Sequence, residues 1–88
     1  MTDDETATLA IVKTYATADR ISIRKHARDR MAERSARFVD IRSALVTATD
    51  LLDQKDGRFK VSGGVDTDGD ALAVVVAIEG QVVVVTLF

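Results

Sequence analysis

Two runs, ALAVVVAIE (residues 71–79) and QVVVVTLF (residues 81–88), decide the fold. Each is a nearly continuous series of β-branched apolar residues. That composition suits a central strand, covered on both faces or packed on helices with its other face in an interface. Glu79-Gly80 lies between them as a tight turn, so the two runs make a hairpin. Upstream, RFKVS (58–62) alternates, with Phe59 and Val61 on one side. It is bounded by Asp56-Gly57 and Gly63-Gly64, both turn signals. Leu51 and Leu52 read either as a short strand or as packing beneath the turn.

The first half has helical period. Residues 4–17 place Leu9, Val12 and Ala16 on one stripe, with Thr2, Asp3 or Asp4 available as a cap. RISIR (20–24) alternates like a short strand, and residues 25–35 are rich in helix formers. Residues 38–48 carry Phe38, Ile41, Leu45 and Ala48 as an amphipathic stripe. The expected fold is α+β, in the order α-β-α-α-β-β-β, with helices on one side of a small antiparallel sheet. At 88 residues the chain reads as a single domain, 1–19 an N-terminal helical segment and 20–88 the core.

Composition excludes several classes. There is no cysteine, hence no disulfide scaffold, thiol nucleophile or cysteine-zinc site, and His26 is the single histidine. No metal and no cofactor are expected. No apolar run reaches ~20 residues, and the acidic N-terminus lacks a basic secretory start, so no membrane association and a cytoplasmic location are expected. An aliphatic core this small favours a partner or a homodimer through the 71–88 hairpin. The net charge of −2 conceals a partition: −3 over 1–19, +5 over 20–42 and −4 over 43–88. A basic block in an acidic chain suggests an anionic ligand; the alternative is a solvated helix face with local ion pairs.

Chemistry concentrates around His26. At ~100° per residue, Arg30 lies about 40° from it, Arg34 about 80° and Glu33 about −20°, all on one flank of the helix. RNA cleavage needs a base for the 2′-hydroxyl proton, an acid for the leaving oxygen and cations for the phosphorane. His26 suits base or acid work, Arg30 and Arg34 suit the phosphate, and Glu33 suits the orienting of His26. Arg24, Arg37 and Arg58 are further phosphate candidates. The alternative makes His26 a core-rim residue and the arginines surface ion-pair members. One histidine cannot be both acid and base; Tyr15, Lys25 and Lys60 are open candidates for the second group. The run VDTDGDA (65–71) imitates a calcium loop but misplaces the glycine and lacks the closing glutamate, so it reads as a polar loop.

The segments ISIRKHARDRMAER, FVDIRSAL, GRFKVSG and LAVVVAIEGQVVVVTLF together resemble the family called domain of unknown function 4258. The matching positions are His26-Ala27, Arg30-Met31, Glu33-Arg34, Asp40-Ile41 and Thr86-Leu87-Phe88. The resemblance covers residues 20–88. Arg37 stands where the family usually has Ser or Thr, and Ser35 follows Glu33-Arg34 where a small residue is usual. The family is placed near the RelE-like and BrnT-like toxins. This implies a RelE-like fold, a metal-independent ribonuclease of a bacterial toxin–antitoxin pair, RNA as substrate and an antitoxin protein as partner. Two alternatives stand beside it: a non-catalytic binding or regulatory module on the same scaffold, and a structural homodimer.

Overall fold

The computed structural model describes residues 1–88. Three helices and five strands follow one another: α1 (Asp3–Thr17), β1 (Ile21–Ile23), α2 (Lys25–Glu33), α3 (Phe38–Val46), β2 (Asp50–Asp53), β3 (Phe59–Ser62), β4 (Val74–Ile78) and β5 (Val82–Leu87). α1 starts where Thr2 and Glu5 cap each other: the Glu5 N–H donates to the Thr2 hydroxyl at 3.1 Å and the Thr2 N–H to Glu5 Oε1 at 2.8 Å. Glu5 Oε2 also accepts the Asp53 N–H at 2.9 Å, which ties the acidic first turn of α1 to the outer edge of β2. α1 packs on α3, β2 and β5. α2 stops two residues short of the expected 35 because Ser35 adopts φ 55°, and the Ala36 N–H closes back on the Met31 carbonyl at 2.8 Å.

The sheet order is β1-β5-β4-β3-β2, with both strands of the valine hairpin in its interior. Two expectations need correction. The 50–53 segment is a full strand, paired antiparallel to β3, so four strands follow the helices. The sheet is mixed, because β1 runs parallel to β5. A three-residue strand with no tight turn to its neighbour carries no local signal of direction. Here the α2–α3 passage takes the chain from the β1 edge to β2 at the far edge, and the β2–β5 meander returns β5 alongside β1.

All three helices contribute to one buried cluster: Leu9, Val12 and Ala16 from α1, Ala27 from α2, and Ile41, Ala44 and Leu45 from α3. They meet Leu51, Val61, Val74, Val76, Val82, Val84 and Leu87 of the sheet. The helices therefore share one face. Val75, Val83 and Val85 are also buried but stand outside that cluster, and strand alternation puts Val75 and Val83 on the opposite face. No helix covers them. On that face Arg24 reaches Glu79 across β5, and Lys60 lies over the Phe88 ring at 4.9 Å. No helix is long and apolar enough to cross a membrane.

Candidate functional site

β1 pairs with β5 only from Val82 to Val84. Beyond that point α2 takes the place of a neighbouring strand. Arg30 donates through Nε and Nη2, each at 3.3 Å, to the Leu87 carbonyl, which β1 is too short to reach. Its Nη1 meets Glu33 Oε2 at 3.4 Å. Arg30 is thus a half-buried brace between α2 and the end of β5, with two of its five N–H donors left over.

The other members of the flank are less engaged. His26 is exposed and its imidazole has no side-chain partner. It lies one turn before Arg30 on the same side. The Glu33 carboxylate meets Arg30, not His26. Arg34 caps the end of α2 through its backbone, and its guanidinium is exposed and unpaired. Lys25 pairs with Asp29 at 3.2 Å. Arg28, which spacing from His26 did not single out because it sits near 200° on the opposite flank, is also exposed with no partner. Both carboxylates of α2 are therefore occupied by cations of α2, while His26, Arg28 and Arg34 face solvent unmatched. α2 begins with no side-chain cap and no acid in its first turn.

The phosphate candidates do not converge. Arg24 heads α2, but its side chain lies on the opposite sheet face, held by Glu79 at 2.8 Å. Arg37 turns to the 65–71 loop, with Nη2 donating to the Thr67 hydroxyl at 3.2 Å. Arg58 precedes β3 and is exposed and unpaired. Of the candidates for a second acid or base, Lys60 stands over Phe88, Tyr15 lies beneath Arg20 at 5.3 Å, and Lys25 is paired with Asp29.

Asp40, one of the positions of the family resemblance, is buried. It accepts the Arg37 N–H at 2.9 Å, the Thr67 N–H at 3.1 Å and the Thr67 hydroxyl. These bonds, the Thr67 hydroxyl first, hold its carboxyl far below the usual carboxylate range, with the Arg37 charge assisting and burial opposing. Its work is to tie the start of α3 to the 65–71 loop. In that loop Asp66 Oδ1 accepts the N–H groups of Asp68 and Asp70, each at 2.9 Å, so this carboxylate is turned onto its own backbone. No group of three or more His, Asp or Glu side chains is placed to hold a metal ion. The two surface hollows, about 320 and 350 Å³, are lined by Ala10, Ile11, Thr14 and Tyr15 and by Lys13, Thr14, Thr17 and Ala18. Both belong to α1, so the α2 cluster is an open convex surface.

A family model described as domain of unknown function (DUF4258) matches residues 23–88. The matched stretch begins in β1 and takes in α2, α3 and β2–β5, leaving α1 outside. No curated protein and no solved structure matches the chain.

Proposed function

The chain belongs to the DUF4258 family, and from that premise we propose that it is a toxin-related domain of RelE/BrnT-like character that binds RNA through α2. One observation carries the proposal: α2 presents His26 and Arg34 on one flank and Arg28 on the other, all without intramolecular partners, while its own carboxylates are neutralised by Lys25 and Arg30. Such a surface attracts a polyanion through phosphate contacts and counterion release. Binding of a labelled single-stranded RNA should weaken steeply with salt. Replacing Arg28 or Arg34 with Gln should flatten the log–log slope by roughly 0.7 each. Absence of binding at low salt sinks the proposal.

Metal-independent cleavage is the second reading, favoured by one feature, an open imidazole one turn from a guanidinium fixed by Leu87. The 2′-oxygen would attack phosphorus, the bond to the 5′-oxygen would break, and a 2′,3′-cyclic phosphate and a 5′-hydroxyl would result. His26 would take or give the proton; Arg30 and Arg34 would stabilise the phosphorane. The other acids and bases near His26 on α2 are paired off, Asp29 with Lys25 and Glu33 with Arg30, so no free second group stands beside it, which is why binding ranks first. Product ends formed in the presence of a chelator by the wild type, and not by His26→Ala, would establish cleavage. Growth arrest on expression of the wild type alone would join it to toxicity, and an antitoxin protein would then be sought on the same helix.

RNA is preferred to a second copy for a geometric reason. Both hairpin strands are interior, so a hairpin-mediated dimer has only the open sheet face. Strands of three to six residues present roughly 350 Å² there, less than half of what each partner contributes to a standard interface.

A further inference from the structure

We infer that Glu79 is a built-in competitor for the anionic ligand, holding Arg24 closed across the open face of the sheet until a phosphate displaces it. The inference rests on the RNA-binding reading and adds to it a second contact region and its regulation. Ile21, Ile23 and Ile78 pack on the core, so alternation sends Ser22, Arg24, Ala77 and Glu79 to the other face. Ser22 and Ala77 both pair with Val83 of β5. The Arg24–Glu79 bridge, 2.8 Å between Nη2 and Oε2, therefore crosses β5 at the level of Val83.

The bridge lies at the level of Val83, which is buried although no helix lies above it. It also cancels the charge of the cation that stands directly before α2. The other ion pairs of the basic helix are local, Lys25 with Asp29 and Arg30 with Glu33; this one joins residues 55 apart in sequence. It is nevertheless weakly held. The two side chains are 49% and 57% exposed, and a pair so open to solvent is easily exchanged. A phosphate diester offers the guanidinium two non-bridging oxygens that share one negative charge, as a carboxylate does. Release of Glu79 would then make Arg24 a separate ligand contact on the open face of the sheet, beside the start of α2, and leave the valines of that face open to an unstacked base.

The test uses fluorescence anisotropy with a labelled eight-nucleotide oligouridylate at 50 mM salt. Four proteins are compared: wild type, Glu79→Gln, Arg24→Gln/Glu79→Gln and Asp68→Asn. The last removes an exposed loop carboxylate that pairs with no cation, and so measures the general effect of one negative charge. Thermal melts confirm that each is folded, with Glu79→Ala as a second variant of the same pair. Glu79→Gln should bind about fivefold tighter than the wild type, the scale of one exposed ion pair. Asp68→Asn should gain much less, and the double variant should lose the gain. In the wild type, the Arg24 Nε–Hε resonance should shift on addition of the RNA. Equal gains for Glu79→Gln and Asp68→Asn, or a gain that survives in the double variant, would overturn the latch while leaving binding through α2 intact. No binding by any of the proteins would overturn both.

Discussion

α2 and α3 are nine-residue neighbours that both carry arginines, and the fold deals with their charges in opposite ways. α3 resolves its charge internally. Asp40 caps the Arg37 N–H, takes two donors from Thr67 and is buried with Ile41, Ala44 and Leu45. α2 buries Ala27 alone, begins without a side-chain cap and leaves His26, Arg28 and Arg34 unmatched. Where the charge on a helix is satisfied by its own fold, substitutions there should act on stability. Where it is left over, they should act on a ligand.

The largest expected effect lies under α3. A Cβ at Gly64 would collide with the carbonyl and Cα of Ala44, which are backbone atoms that cannot swing aside. Gly64→Ala should cost about 3 kcal/mol, as severe overpacking does, seen as a lower denaturation midpoint. A midpoint within error of the wild type would mean that α3 is not held as tightly as this comparison requires. Asp40 comes next, and its signature is pH dependence. Its folded pKa lies below the unfolded value, as does that of Glu5, held down chiefly by the Thr2 and Asp53 N–H groups. The stability they contribute is complete above about pH 5 and is lost as pH falls through the depressed folded values. Asp40→Asn should therefore be less stable than wild type at pH 7, and the gap should narrow steadily toward pH 2. Parallel stability curves would show that Asp40 is not the group responsible.

The same contrast marks what could be read from the chain. The valine runs, the hairpin turn and most of the helical stripes are local patterns that appear where expected; Phe38 does not, since the first residue of α3 stands 40% exposed while Ala44 takes a core place beside Ile41 and Leu45. The partner and direction of β1 did not follow from three residues, because pairing of so short a strand is set by the elements around it. The flank shared by His26, Arg30, Glu33 and Arg34 was legible from helical geometry. What each side chain touches was not. Arg30 braces Leu87 because β1 ends early, and Arg24 meets Glu79 because alternation turns both to the open face. The role of Asp40 did not follow from the chain, although the position belongs to the family resemblance, since its Thr67 partner is 27 residues away. The one available signal was its position three residues after Arg37, where an acid can cap a helix.

Within α2 the comparison sharpens to single residues. Arg30 and Arg28 are two positions apart on the same helix, yet one is bonded to the Leu87 carbonyl and the other to nothing. Arg30→Gln should lower stability by roughly 1 kcal/mol, a charged hydrogen bond discounted for its partial exposure. Arg28→Gln should stay within about 0.5 kcal/mol of wild type, as unpaired surface sites do, and yet weaken RNA binding and its salt dependence. Urea denaturation and salt titration on the same two proteins read both effects. If Arg28→Gln proved the more destabilising of the two, or left RNA affinity unchanged at every salt concentration, the division between a helix that holds the fold and one that meets a ligand would not run where the unmatched charges place it.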